Sequence, residues 1–208
     1  MPESASVTIA PAVEPDALLD LIRSRRSIGK MRDEAPDRAS IEQLLEAAIW
    51  APNHHLTQPW RFFVLSCEGR SILGRASGEA AARGIDDPEK AEAARAGAER
   101  KALRAPWIIV VASEPIHDGR TPDLEEHFAV AAAAQNMLLQ AEALGLAAIW
   151  RSGGPAFAPE VREAFGLSEQ AQIVGFIYVG YPAMERPTRD RTPVAQVTTW
   201  LDHDSLAS

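Results

Sequence analysis

Cysteine is nearly absent from this 208-residue sequence. With Cys67 alone, no intrachain disulfide can form, which suits a reducing compartment. No histidine stands beside it, so it reads as a core or strand-edge residue rather than a nucleophile. Positive charge is also short: 21 Lys plus Arg face 29 Asp plus Glu, a net charge of −8. That balance argues against nucleic acid or an anionic membrane as the main partner, because both reward a basic surface. Uninterrupted apolar runs are missing. The stretch 129–150 comes nearest, but Gln135, Asn136, Gln140 and Glu142 interrupt it, so it reads as a buried helix rather than a membrane span. Residues 1–14 lack the basic start and apolar run of an export signal, and a cytoplasmic protein is expected.

Familiar catalytic motifs are missing as well. No G-x-G-x-x-G follows a strand, no Gly-Lys-Ser/Thr follows a glycine-rich turn, and no G-x-S-x-G is found. His54, His55, His117, His127 and His203 stand in no H-E-x-x-H or C-x-x-C context, so no metal site is expected.

What remains is an ordinary globular composition, 46% apolar and 24% charged, at a length that supports one core. Residues 1–14 read as a flexible N-terminal tail and 15–208 as a single domain. A helix is expected over 15–25, with arginines in its last turn where they suit the dipole. A second starts at Ser40 with a capping box to Gln43 and ends before Pro52. Trp60–Leu65 reads as a strand, 69–104 as two surface helices, and Ala105–Ser113 as a buried strand. Thr121 and Pro122 open a long alanine-rich helix that stops at Gly145. Strands follow at 146–151 and 172–181 with a short helix at 159–165 between them. Residues 182–208 read as an extended C-terminal arm. The fold class is α+β, with a central mixed, mostly antiparallel sheet flanked by helices.

Three segments could carry chemistry. Arg25-Arg26-Ser27 could fork guanidinium groups onto a phosphate while the serine donates its hydroxyl; the same arginines also suit a solvated helix end. In Asn53-His54-His55-Leu56-Thr57-Gln58-Pro59-Trp60, His54 and Gln58 can both donate and accept toward a heteroaromatic ring. The segment is equally a polar turn, with Trp60 in the core. In Ile149-Trp150-Arg151-Ser152-Gly153-Gly154, two glycines permit backbone to approach a ligand closely, and Trp150 could lie beside a flat group or in the core.

In this order and spacing, the segments resemble the FMN-dependent nitroreductase family. Arg25-Arg26-Ser27 resembles its R-R-S opening. Ala51-Pro52 with Gln58-Pro59-Trp60-Arg61-Phe62 resembles its A-P-x(5)-Q-P-W-x-F signature. Ala105-Pro106 and Gly180-Tyr181-Pro182 also match. His54 and Trp150-Arg151-Ser152-Gly153 are similar to a compact bacterial branch of NAD(P)H nitroreductases. The resemblance implies a nitroreductase-like fold and a homodimer with two FMN sites at the subunit interface. Arg25, Arg26 and Ser27 would lie at the phosphate, His54 and Gln58 at the flavin, and Trp150, Arg151 and Ser152 would complete the pocket. It implies hydride transfer from NAD(P)H and ping-pong reduction of nitroaromatics, quinones or related electrophiles, with the chemistry on the flavin and no catalytic side chain. A flavin-binding protein with little turnover is the alternative. The sequence departs from the family at Leu56, where asparagine is usual, at Gly29, where a basic residue is common, and at Met31, where an aromatic is usual. Arg189 and Arg191 match a basic pattern near the family's C-terminus and stand in reserve for the phosphate.

Overall fold

The computed structural model describes residues 13–116 and 119–201. Most of the expected N-terminal tail (1–12), His117, His203 and the end of the expected arm (202–208) lie outside the described residues. The elements are α1 (Pro15–Ser24), α2 (Arg38–Ile49), β1 (Trp60–Ser66), α3 (Arg70–Ala82), α4 (Pro88–Ala102), β2 (Trp107–Ser113), α5 (Asp123–Ala143), β3 (Ala147–Arg151), α6 (Pro159–Ala164) and β4 (Gln172–Gly180).

The four strands form one sheet in the order β1-β2-β4-β3, and every neighbouring pair is antiparallel. This corrects the expected mixed sheet. β2 and β3 run in the same direction, but β4 inserts between them, so they never pair with one another. Among the described residues, parallel pairing survives only at an isolated bridge between Ser27 and Ala148 on the outer edge of β3.

Period-two alternation splits the core between the two faces of the sheet. On β2, Ile109 and Val111 face α2 and α5, together with Val130, Ala133, Ala134, Met137 and Ala141. Ile108, Val110 and Ala112 face the other way, toward Leu73 and Ala76 of α3, Ala102 of α4 and Val161 of α6. Trp60 is buried in the first of these clusters. Glycines let α3 and α4 meet closely: a Cβ at Gly74 would stand 3.4 Å from the Glu99 Cα, and one at Gly78 would stand 3.5 Å from the Arg95 Cα.

Two caps differ from the expected ones. α2 begins at Arg38, and Asp37 caps it by accepting the Ser40 backbone N–H at 2.8 Å. Asp37 out-competes Ser40 because its carboxylate sits where the first free N–H groups point. Pro122 occupies the cap position of α5, and Thr121 precedes it. The other end of α5 follows expectation. Gly145 has φ 71°, its N–H reaches the Glu142 carbonyl, and the Leu146 N–H reaches Ala141 at 2.8 Å. This is the paired closure of a Schellman ending. Cys67 is exposed at φ 44° just after β1, rather than in the core.

Candidate functional site

The opening turn is held against the edge of β3. Besides the Ser27 bridge, the Ile28 N–H donates to the Ala148 carbonyl at 3.1 Å. The segment after β4 flanks its other side: Arg32 N–H reaches Tyr181 O at 2.9 Å, and Ala183 N–H reaches Lys30 O at 3.0 Å. The two arginines of the turn differ. Arg26 spends its guanidinium on backbone carbonyls, with Nε donating to Pro187 at 3.0 Å and Nη1 to Arg25 at 2.9 Å and to Arg23. Arg25 is half-buried and has no side-chain partner among the described residues. Arg26 thus braces the turn, and Arg25 is the guanidinium left to meet an anion.

β3 sends its last two side chains to opposite faces. Trp150 lies on the α5 face, and its indole N–H donates to the Val174 carbonyl at 3.2 Å. That carbonyl is turned out by a bulge: Val111 pairs with Gly175 and Ala112 with Ile173, which leaves Val174 unmatched. Arg151 lies on the other face, its guanidinium 5.6 Å from the centroid of the Tyr178 ring. This is cation–π distance. A Cβ on Gly29 would stand 2.9 Å from Arg151 Nη2. The glycine therefore leaves room for a cation that arrives from β3.

Arg151 and Ser152 line a cavity of about 570 Å³ between the sheet and the α3–α4 pair. That size suits a cofactor or a drug-sized ligand. Its walls are apolar, including Leu73, Ala98, Phe157 and Phe176, and its polar lining includes Arg83, Lys101, Arg104 and Tyr178. No carboxylate lines it. Arg83 pairs with Glu160, whereas Lys101, Arg104 and Arg151 make no ion pair among the described residues. The Nε of Arg151 is buried without a hydrogen-bond partner. A buried charged donor left unmet is costly, so this arrangement favours an anionic or acceptor-rich ligand. Burial pushes the Tyr178 hydroxyl above the ordinary tyrosine range, and Arg151 and Arg104 only partly offset this.

Sequence reading did not anticipate Arg83, Lys101, Arg104 or Tyr178. The stretch 69–104 reads in sequence only as two surface helices; Lys101 lies in the last turn of α4 and Arg104 just beyond its end. Their shared direction emerges only once α4 packs on α3.

The expected set is not gathered in one place within one chain. Trp150, Arg25, Arg26, Ser27, His54 and Gln58 do not line the cavity. Ser24, beside Arg25, hydrogen-bonds Glu142 near the end of α5, whereas His54 Nδ1 lies 2.6 Å from Glu125 Oε2 near its start. The acids are 17 positions apart, so the two groups stand about 26 Å apart along the helix. The 54–58 turn is also conformationally unusual: His55, Leu56 and Gln58 have φ of 51°, 55° and 48°. Side chains rarely adopt such values, and they cluster where a site over-determines the backbone. The Gln58 N–H donates to Asn53 Oδ1 at 3.0 Å, and Leu56 points into solvent. Gly153 at φ 97° turns the chain beneath the cavity, a geometry that favours glycine.

Comparison with known proteins bears on this arrangement. Residues 22–181 match the Nitroreductase family. The "Putative NAD(P)H nitroreductase YdjA" of Escherichia coli K12 is 36% identical over 175 residues, covering 84% of this chain and 93% of that protein. A nitroreductase-like family protein of Bacillus cereus has the same fold at a TM-score of 0.78 and 28% identity, covering 95% of this chain and 100% of the other. A "putative nitroreductase in complex with fmn" from Desulfovibrio desulfuricans superposes with a TM-score of 0.69 and 29% identity, covering 92% and 99% of the two chains.

Proposed function

The chain belongs to the nitroreductase family, and from that premise we propose that it is an FMN-dependent oxidoreductase. It takes hydride from NAD(P)H and reduces nitroaromatic, quinone or related small electrophilic acceptors. It works in the cytoplasm as a homodimer with two cofactor sites at the subunit interface. The observation that carries this reading is the cavity: apolar walls, three cations without ion-pair partners, one orphaned guanidinium nitrogen and no lining carboxylate.

The residues present fit FMN. Arg25 and Ser27 would hold the phosphate, with Arg189 and Arg191 in reach as further cations. Arg151, Ser152, Lys101 and Arg104 would meet the polar edge of the ring system. When bound, FMN supplies the two-electron chemistry that couples NAD(P)H oxidation to reduction of the acceptor. The protein's own part is electrostatic. Arg151, part-buried and held over Tyr178, favours added negative charge with little reorganisation, and the exposed Lys101 and Arg104 add to the positive field at the cavity. The apolar walls exclude water and leave a flat surface on which planar reactants stack. One stacking face serves both reductant and acceptor in turn, which gives ping-pong kinetics.

The separation along α5 supports the homodimer. A two-fold partner with α5 antiparallel would bring its His54–Gln58 turn to the Arg25 end of this chain. The surface is suited to it, because Leu124 and Phe128 on α5, Trp50 and Leu56 are all more than half exposed. The exposed Val194, Val197, Trp200 and Leu201 give the segment after β4 an apolar face for the same partner. Spectroscopy of the purified protein and its FMN titration test the reading. The protein should be yellow, or take up FMN, and should consume NAD(P)H steadily with a nitroaromatic or quinone. Protein that stays colourless with added FMN refutes it.

A further inference from the structure

Glu142 breaks two local rules at once. It is a carboxylate with a side chain only 4% exposed, and it sits in the last turn of α5, the end of a helix that repels negative charge. An apolar residue there would suit both helix and core. Such violations are kept for what the group contacts.

Its contacts are specific. Oε1 accepts a hydrogen bond from Ser24 Oγ at 2.8 Å and forms an ion pair with Arg186 Nη1 at 2.7 Å. Ser24 ends α1, immediately before Arg25. Arg186 opens the basic run that contains Arg189 and Arg191. One buried oxygen therefore ties the heads of both basic segments. Further links hold them side by side: Arg26 Nε to Pro187 O, Arg32 Nε to Pro182 O at 3.1 Å, and the Met31–Pro182 bridge. Bringing several guanidinium groups together costs repulsion, and a buried anion beside them offsets part of it. Because Arg186 is matched by Glu142, Arg25, Arg189 and Arg191 remain for an external dianion.

We propose that Glu142 is a positioning residue: through Ser24 and Arg186 it sets the two basic segments in register, so that both address one phosphate group. The inference rests on the FMN reading above. It concerns only the phosphate, which gives it a separate test. Riboflavin carries the same ring without the phosphate. Binding of FMN and of riboflavin is measured by fluorescence quenching for the wild type, Glu142→Gln, Glu142→Ala and Arg186→Gln. The last is a change at a half-exposed position that leaves the core intact.

The expected result is a preference of the wild type for FMN that falls about tenfold or more in Glu142→Ala and Arg186→Gln, the scale of one charge-assisted hydrogen bond. The fall should be smaller in Glu142→Gln, which keeps an acceptor for Ser24. Riboflavin affinity should stay level. A preference for FMN that is unchanged in Arg186→Gln and Glu142→Gln overturns the inference while leaving the FMN site standing, as does equal loss of both flavins. Wild-type protein that binds neither flavin overturns the FMN reading itself, and this inference with it.

Discussion

Neighbouring arginines in the opening turn have different uses, and the difference is measurable. Arg26 is committed to three carbonyls, whereas Arg25 has none. Arg25→Ala should weaken FMN binding by about 1.5–3 kcal/mol, the worth of a hydrogen bond to a charged group. Isothermal titration of the apoprotein checks this, and unchanged affinity removes Arg25 from the site. Tyr178 offers a second test at this scale. Burial raises its folded pKa above the unfolded value near 10.0, so the neutral phenol favours the folded state. That contribution is fully present below about pH 10 and is lost as pH rises through the folded pKa. Only two tyrosines are present, Tyr178 and Tyr181, so tyrosinate absorbance resolves them. One should ionise above the ordinary range, and Tyr178→Phe should remove that late step. The R-R-S and Q-P-W residues were legible because they stand close together in sequence. Lys101 and Arg104 were not, because they meet Arg151 across about 50 positions only after α4 packs down.

Elements were legible where periodicity dominates. β2 is apolar from Trp107 to Ala112 and buried on both faces, and α5 ends at the glycine that its sequence advertises. Strand order was not, since nothing local says that β4 enters between β2 and β3. The bulge at Val174 was equally invisible, yet it fixes Trp150. A Cβ at Gly175 would stand 2.1 Å from the Trp150 indole nitrogen and 2.8 Å from the Arg151 carbonyl. The backbone atom cannot yield as a flexible side chain would. Gly175→Ala should therefore destabilise the fold by about 1–3 kcal/mol through overpacking, and should shift Arg151 with it. Urea unfolding measures the first effect, and a wild-type midpoint would show that β3 and β4 have slack here.

At the scale of the whole molecule, the chain looks unfinished by itself. Its cation-lined cavity and its His54–Gln58 turn lie at different places, and Trp50, Leu56, Leu124 and Phe128 face solvent. The family resemblance implied a homodimer, but a motif says which residues act together and not which copy each comes from. In the proposed dimer, each FMN is held by Arg25 of one subunit and by His54 and Gln58 of the other. A mixed dimer tests it most directly. One subunit carries Arg25→Ala, the other carries His54→Ala with Gln58→Ala, and FMN binding to the purified heterodimer is counted. Shared sites predict one FMN bound at wild-type affinity per heterodimer, because one site keeps all its groups while the other loses them all. Both parent homodimers should bind weakly. A heterodimer with two weakened sites and none restored would place each site within one chain and contradict the account.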